Sequence, residues 1–206
     1  MELYKEDGTT FDSSTCEIVE QDIVKHIIAP SDKVLELGAR YGSVSILTNQ
    51  MLDDKTQHVV VEPDDTVWEA LEKNKEKYNC KFQIIKGFLS ERNFSLHKDG
   101  YSTHQIPEDS STISSTSLHS IDIPFNVLIA DCEGGLKTFF DDYPFMYDRL
   151  QKLFMEEDGD IDYKPIKVNL SKRGFIKVIE YGDHNGLLYS VWIKVAHHPI
   201  NYILKR

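Results

Sequence analysis

The sequence predicts an α/β protein whose mostly parallel sheet is closed by an antiparallel C-terminal hairpin. Three observations carry this expectation. Short apolar runs at Val34–Leu37, Val59–Val61 and Asn126–Ala130 are too brief for buried helices, and each is followed by helical spacing of apolar residues. The first run ends in a glycine-bracketed turn, Gly38 to Gly42. Finally, Phe175–Tyr181 and Leu187–Val195 flank Gly182-Asp-His-Asn-Gly186, the composition of a hairpin connection.

The elements follow in order. A first helix is expected from about Cys16 to Ile28, with Ile18, Ile23, Ile27 and Ile28 on one face and Pro30 ending it. Ser14 or Thr15 is expected to cap it, with Glu17 complementing its dipole. After the first strand, Ser43–Leu52 reads as a helix carrying Val44, Leu47, Met51 and Leu52 inward. A second strand ends at Glu62; a helix over about Thr66 to Tyr78 and a strand over Phe82–Lys86 follow. Between Ser90 and Ile123 the pattern weakens, and Gly100 to Ser120 is rich in Ser and Thr. A loop that long reads as a lid or an inserted hairpin over the site, or as a purely structural insertion. The strand at Asn126–Ala130 ends in Asp131-Cys132-Glu133-Gly134-Gly135, ahead of a helix over Leu136–Asp142. Lys152–Met155 reads as a strand ending in Glu156-Glu157-Asp158, and Pro165–Arg173 as a helix stopped by Gly174. The whole of 1–206 is expected to be one domain, with 1–30 as a helical cap and 90–123 as the insertion.

Composition narrows the class of partner. The chain has 206 residues, of which 40% are hydrophobic and 28% charged. With 23 basic and 34 acidic side chains its net charge is −11, which disfavours a phosphodiester backbone, and no basic cluster relieves it. A neutral or cationic small molecule, or a glycan, is the expected partner, with no nucleic acid and no membrane. Cys16, Cys80 and Cys132 form no spaced metal pair, and no run reaches the apolar length of a membrane span, so a reduced, cytoplasmic setting is expected.

The turn selects among ligands. A dinucleotide fold wants G-x-G-x-x-G so that amides at a helix N-terminus hold a pyrophosphate. This chain offers Glu36-x-Gly38-x-x-x-Gly42, with an acid where that motif has its first glycine. An acid facing the ligand repels phosphate and suits a cationic one, as does Glu62, placed to accept hydrogen bonds from ribose hydroxyls. S-Adenosyl-L-methionine, with a sulfonium, an ammonium and no phosphate, matches that demand. The pattern resembles motif I of the class I methyltransferases, whose ribose-binding acid Glu62 matches. Ser117-Leu-His-Ser-Ile121 through Asp131-Cys-Glu133-Gly134 is similar to the FkbM-type methyltransferases, in which a strand ends in D-x-E-G-x-E. Gly38-Ala39, Glu62-Pro63 and Gly87-Phe-Leu-Ser90 extend the likeness over about Lys33 to Asp158.

The resemblance implies a Rossmann-like fold, a seven-stranded sheet with one reversed strand, and methyl transfer from S-adenosylmethionine, commonly to an oxygen of a sugar or natural-product scaffold. It implies cofactor contacts at Glu36, Gly38, Ala39, Gly42, Glu62, Phe88, Ser90 and Asp131. Two positions depart from the family: Arg40 replaces its usual asparagine, and Leu136 its last acid. These leave open a non-catalytic binding protein on the same fold; protein or amine methylation is a further alternative.

An alcohol needs a base or a metal to become a nucleophile. Asp131, at a strand end, is the expected base, with Glu133 supporting it or gripping a sugar hydroxyl; the other reading of both is a helix cap. A rival scheme holds Mg²⁺ by Asp131 with Glu157 or Asp158. His104, His119 and His184 are alternative bases, with His197 and His198 in the tail.

Overall fold

In a computed structural model of the chain, the described residues are 1–99, 102–107, 112–159, 161–182 and 186–195. Along the chain run β1 (Glu2–Tyr4), β2 (Thr10–Asp12), α1 (Ile18–Ile27), β3 (Val34–Leu37), α2 (Ser43–Met51), β4 (His58–Glu62) and α3 (Trp68–Lys77). Then come β5 (Gln83–Lys86), β6 (Phe88–Leu89), β7 (Phe94–Asp99), β8 (Ser102–Pro107), β9 (Thr112–Ile113) and β10 (Ser115–Thr116). The last part holds β11 (Val127–Ala130), α4 (Gly135–Asp142), α5 (Met146–Arg149), β12 (Lys152–Glu157), α6 (Lys164–Lys172), β13 (Phe175–Gly182) and β14 (Leu188–Lys194).

The central sheet has seven strands in the order β13-β14-β12-β11-β3-β4-β5. All are parallel except β14, which runs antiparallel to both β12 and β13. The expected fold class holds: a Rossmann-like sheet with one reversed strand. Every residue of β3, β4 and β11 is buried, because helices cover both faces and parallel strands must be apolar on each. Alternation divides the side chains. Val34, Val127, Ile129 and Phe154 pack with α1 and α2, whereas Leu35, Leu37, Leu128, Ala130, Leu153 and Met155 pack under α4, α5 and α6. The chain leaves β3 to one side and returns through β11 on the other, so a crevice opens beyond their carboxyl ends, where strand order reverses.

Two local expectations change, and the hairpin expected among the readings of the insertion is present. The N-terminal thirty residues are not purely helical: β1 and β2 form a hairpin before α1. Neither Ser14 nor Thr15 caps α1; both lie in a short turn of 3-10 helix, and the capping position belongs to Glu17, in left-handed conformation with φ 51°. The stretch after Ser90 is an inserted hairpin, β7 against β8, with β9 pairing on β7 and β10 running parallel to β6. Residues 108–111 of the Ser/Thr-rich run lie outside the described residues. No helix among the described residues is long and apolar enough to cross a membrane.

Candidate active site

The crevice at the switch point encloses about 1100 Å³ of non-atom space, its open mouth included, enough for a nucleoside-sized ligand. Glu36, Gly38, Ala39, Glu62, Phe88, Asp131 and Glu133 of the expected residues line it.

Its floor is the turn after β3. Gly38 has φ 85°, and a Cβ there would lie 1.6 Å from the carbonyl oxygen of Asp131. The glycine is therefore demanded by the close passage of β11, rather than by a ligand. Gly42 also has φ 85°, caps α2, and faces Leu71 where a Cβ would come within 2.9 Å of Cδ1; it is not among the crevice-lining residues.

Two acids behind this floor are taken up by the protein. Glu62 accepts hydrogen bonds from the backbone N–H of Ala39 (3.1 Å), Arg40 (2.6 Å) and Asp64 (2.7 Å). Burial pushes its carboxyl up and these three amides pull it back. The acid expected to meet ribose thus also clamps the glycine turn. Glu36, expected to face the ligand, is 1% exposed; its carboxylate accepts from Ser45 Oγ at 2.7 Å and lies 3.0 Å from His58 Nε2. Most of its bonding capacity points into the α2 layer, so its action on a ligand is through its field rather than as a free rim acid.

The two ends of the crevice differ in chemistry. One, past β5, is apolar: Phe88 and Leu89, with Leu96 of β7 and Gln105 of β8 also among the lining residues. Two residues of the insertion thus line the crevice. The other end gathers Glu17, Glu20 and Asp131, with Glu156 beside them: one carboxylate oxygen each of Glu20, Asp131 and Glu156 lies within 4.8 Å of the others. Asp131 is pushed up to about 8, by burial first and then by Glu20 and Glu133. Glu156 is pushed up by burial and by Asp131, and Glu17 by burial, Asp131 and Glu20. Such shifts mark carboxylates held together against their own repulsion.

The metal reading needs a correction in one member. Side chains alternate along β12, so Glu156 faces α1 and Asp131, while Glu157 turns to the α6 side, pairing with Lys167 at 2.5 Å and accepting from Ser190 Oγ at 2.8 Å. Asp158 accepts from the Tyr163 hydroxyl at 2.8 Å. Glu156, rather than Glu157, shares the site with Asp131. The N-cap position of α4 belongs to Gly134, in left-handed conformation, rather than to Asp131 or Glu133. Ser90, expected near the ligand, is not among the crevice-lining residues; its hydroxyl donates to Asp142, which also binds Arg92 at 2.9 Å and ties the base of the insertion to α4. Among the histidines, His119 stacks on Phe145 at 5.5 Å away from the crevice. The side chain of His104, and all of His184, His197 and His198, lie outside the described residues.

Glu17 and Glu20 also line the crevice, although no motif contains either. Glu20 had a visible signal: it lies three, four and seven positions before Ile23, Val24 and Ile27, on the buried stripe of α1, where an acid has no reason to be unless something polar lies beneath.

No family model and no curated protein sequence matches the chain. Its fold is nonetheless shared with solved structures. It is similar to a precorrin-6y C5,15-methyltransferase from Geobacter metallireducens, with 14% identity, 86% of this chain and 89% of that one covered, and a TM-score of 0.56. It is similar to an rRNA methylase from Streptococcus thermophilus at 12% identity, covering 85% and 94%, with a TM-score of 0.55. A third likeness is to TrmK of M. capricolum in complex with the natural cofactor product S-adenosyl-homocysteine, at 12% identity, covering 84% of this chain and 66% of that one, with a TM-score of 0.54. At such identities the likeness is one of fold, and one of these proteins is a precorrin methyltransferase while another is an rRNA methylase. The chain thus has the Rossmann-like fold that these methyltransferases share.

Proposed function

We propose that the protein is an S-adenosylmethionine-dependent methyltransferase that transfers a methyl group to a hydroxyl of a sugar, a glycan or another small hydroxylated molecule. The observation that carries this reading is the two-ended crevice at the switch point. One end offers an aromatic and aliphatic slot for a purine, at Phe88 and Leu89; the other offers carboxylates, at Glu17, Glu20 and Asp131, to a ligand bearing positive charge. A phosphorylated dinucleotide would meet the same carboxylates as repulsion, and no G-x-G-x-x-G is present to receive it. The residues present therefore fit a sulfonium nucleoside.

When bound, that cofactor supplies a methyl carbon activated by the positive sulfur, which leaves as a neutral thioether. The protein's share is alignment and proton removal. Asp131, fixed by its backbone against Gly38, takes the proton of the acceptor hydroxyl as the oxygen bonds to the methyl carbon. Burial pushes its carboxyl up to about 8, so that, once ionised, it is a stronger base than an ordinary aspartate. Glu133, which lines the same crevice, holds an acceptor hydroxyl in this reading. A Mg²⁺ ion would suit the oxygens of Glu20, Asp131 and Glu156, hard ligands at close separation, and would polarise the acceptor oxygen there. The crowding of these acids also favours a second reading, an amine acceptor held as its cation.

The test is methyl transfer from labelled S-adenosylmethionine to a panel of monosaccharides, glycans and amines, with and without EDTA. Label on hydroxyl compounds alone supports the first reading, and label on amines alone replaces it with the second. No transfer to any, with cofactor bound, leaves a binding protein on a methyltransferase fold.

A further inference from the structure

We propose that Glu17 recognises the α-ammonium group of the cofactor, making the N-terminal strap of the chain part of the cofactor site. The inference rests on the methyltransferase reading above and extends it to a residue in no motif.

The strap is held in place by many bonds. Its first turn is bound to α3, where Asn74 accepts from the Tyr4 N–H at 2.7 Å and donates to the Tyr4 carbonyl at 3.0 Å and the Tyr41 carbonyl at 2.9 Å. Its end is fixed by Gln21, whose amide donates to the carbonyls of Ser13 and Cys16, both at 2.7 Å. Between these anchors Glu17 takes a left-handed backbone conformation that glycine adopts freely and glutamate does not. A glycine would serve such a bend, so the side chain is what glutamate adds.

That side chain enters the crevice. The Ser43 hydroxyl, at the first position of α2 just past the glycine turn, donates to its carboxylate. Behind it, Glu36 is engaged by Ser45 and His58, and Glu62 by three amides. Arg40 is the sole basic residue lining the crevice among the described residues, and its guanidinium lies over the Tyr41 ring at 5.0 Å. Burial, then Asp131, Glu20 and Glu36, push the Glu17 carboxyl up, with Arg40 opposing them. An ammonium group arriving there would relieve a repulsion the protein itself leaves standing. The apolar end of the crevice takes the adenosine, so the amino-acid end of the same ligand falls to the side of Glu17.

The test compares two ligands on the full chain by calorimetry: S-adenosylhomocysteine, and methylthioadenosine, which keeps the nucleoside and thioether but lacks the amino acid. Glu17→Gln keeps size and hydrogen bonding and removes the charge. The proposal expects it to weaken S-adenosylhomocysteine at least tenfold while methylthioadenosine changes less than twofold, the latter also showing that the variant is folded. Unchanged S-adenosylhomocysteine affinity, or equal loss for both ligands, would overturn it. If the unmodified protein binds both ligands equally, Glu17 is excluded while the nucleoside site stands; if it binds neither, the methyltransferase reading falls and this inference with it.

Discussion

Two groups of acids border one crevice, and they live under opposite conditions. Glu36 and Glu62, at the ends of β3 and β4, are met by the protein: a serine and a histidine for one, three backbone amides for the other. Glu17, Glu20, Asp131 and Glu156 come from the strap, α1, β11 and β12 and crowd one another, so that burial and mutual repulsion push three of them up even though Ser43 donates to Glu17. The first group builds the glycine turn; the second brings its carboxylates close together at the crevice. Carboxylates whose titration is strongly displaced cluster at functional sites.

The comparison is broken hardest at its floor. Gly38→Ala drives a methyl group into the Asp131 carbonyl and is expected to cost on the order of 4 kcal/mol or more, seen as loss of soluble, cooperatively melting protein. Next, Glu62→Ala leaves three backbone donors without an acceptor and is expected to lower stability by about 3 kcal/mol in urea melts, with S-adenosylhomocysteine affinity falling at least tenfold. A normal stability in that variant would show that the first group is no more built-in than the second.

The second group should behave in the reverse way. Asp131 binds its proton more tightly folded than unfolded, so the native state holds the extra proton between about 4 and 8 and stability falls as pH rises through that window. Asp131→Asn removes the penalty: its melting temperature should exceed that of the unmodified chain at pH 8 and converge with it near pH 4. Methyl transfer should drop strongly in the same variant while S-adenosylhomocysteine affinity changes little. Asp131→Asn retaining full turnover would remove Asp131 as the base. The smallest effect is expected from Glu157→Gln, whose carboxylate faces Lys167 and Ser190; turnover should stay within about twofold, whereas Glu156→Gln alters it.

Much of this was legible in the sequence, and what was not has physical causes. Fully buried parallel strands spell themselves out as apolar runs, so β3, β4 and β11 and the reversed β14 were readable, as was the turn from Gly38 to Gly42. The reason for Gly38 was not, because its constraint comes from Asp131, ninety-three positions away in the chain. The hairpin of β1 and β2 has strands of three residues, too short to show alternation. Within Glu156-Glu157 the sequence cannot choose which acid faces the crevice until the first residue and register of β12 are known; a shift of one position exchanges them. Nothing local in the sequence announces a left-handed glutamate at Glu17, whereas Glu20 stands out as an acid on an apolar stripe.

The claim that this crevice holds a positively charged sulfur nucleoside is tested most directly by calorimetric titration with S-adenosylmethionine, alongside NADH. One-to-one binding of S-adenosylmethionine is expected, with none of NADH. Binding of NADH, or of neither compound, would contradict it.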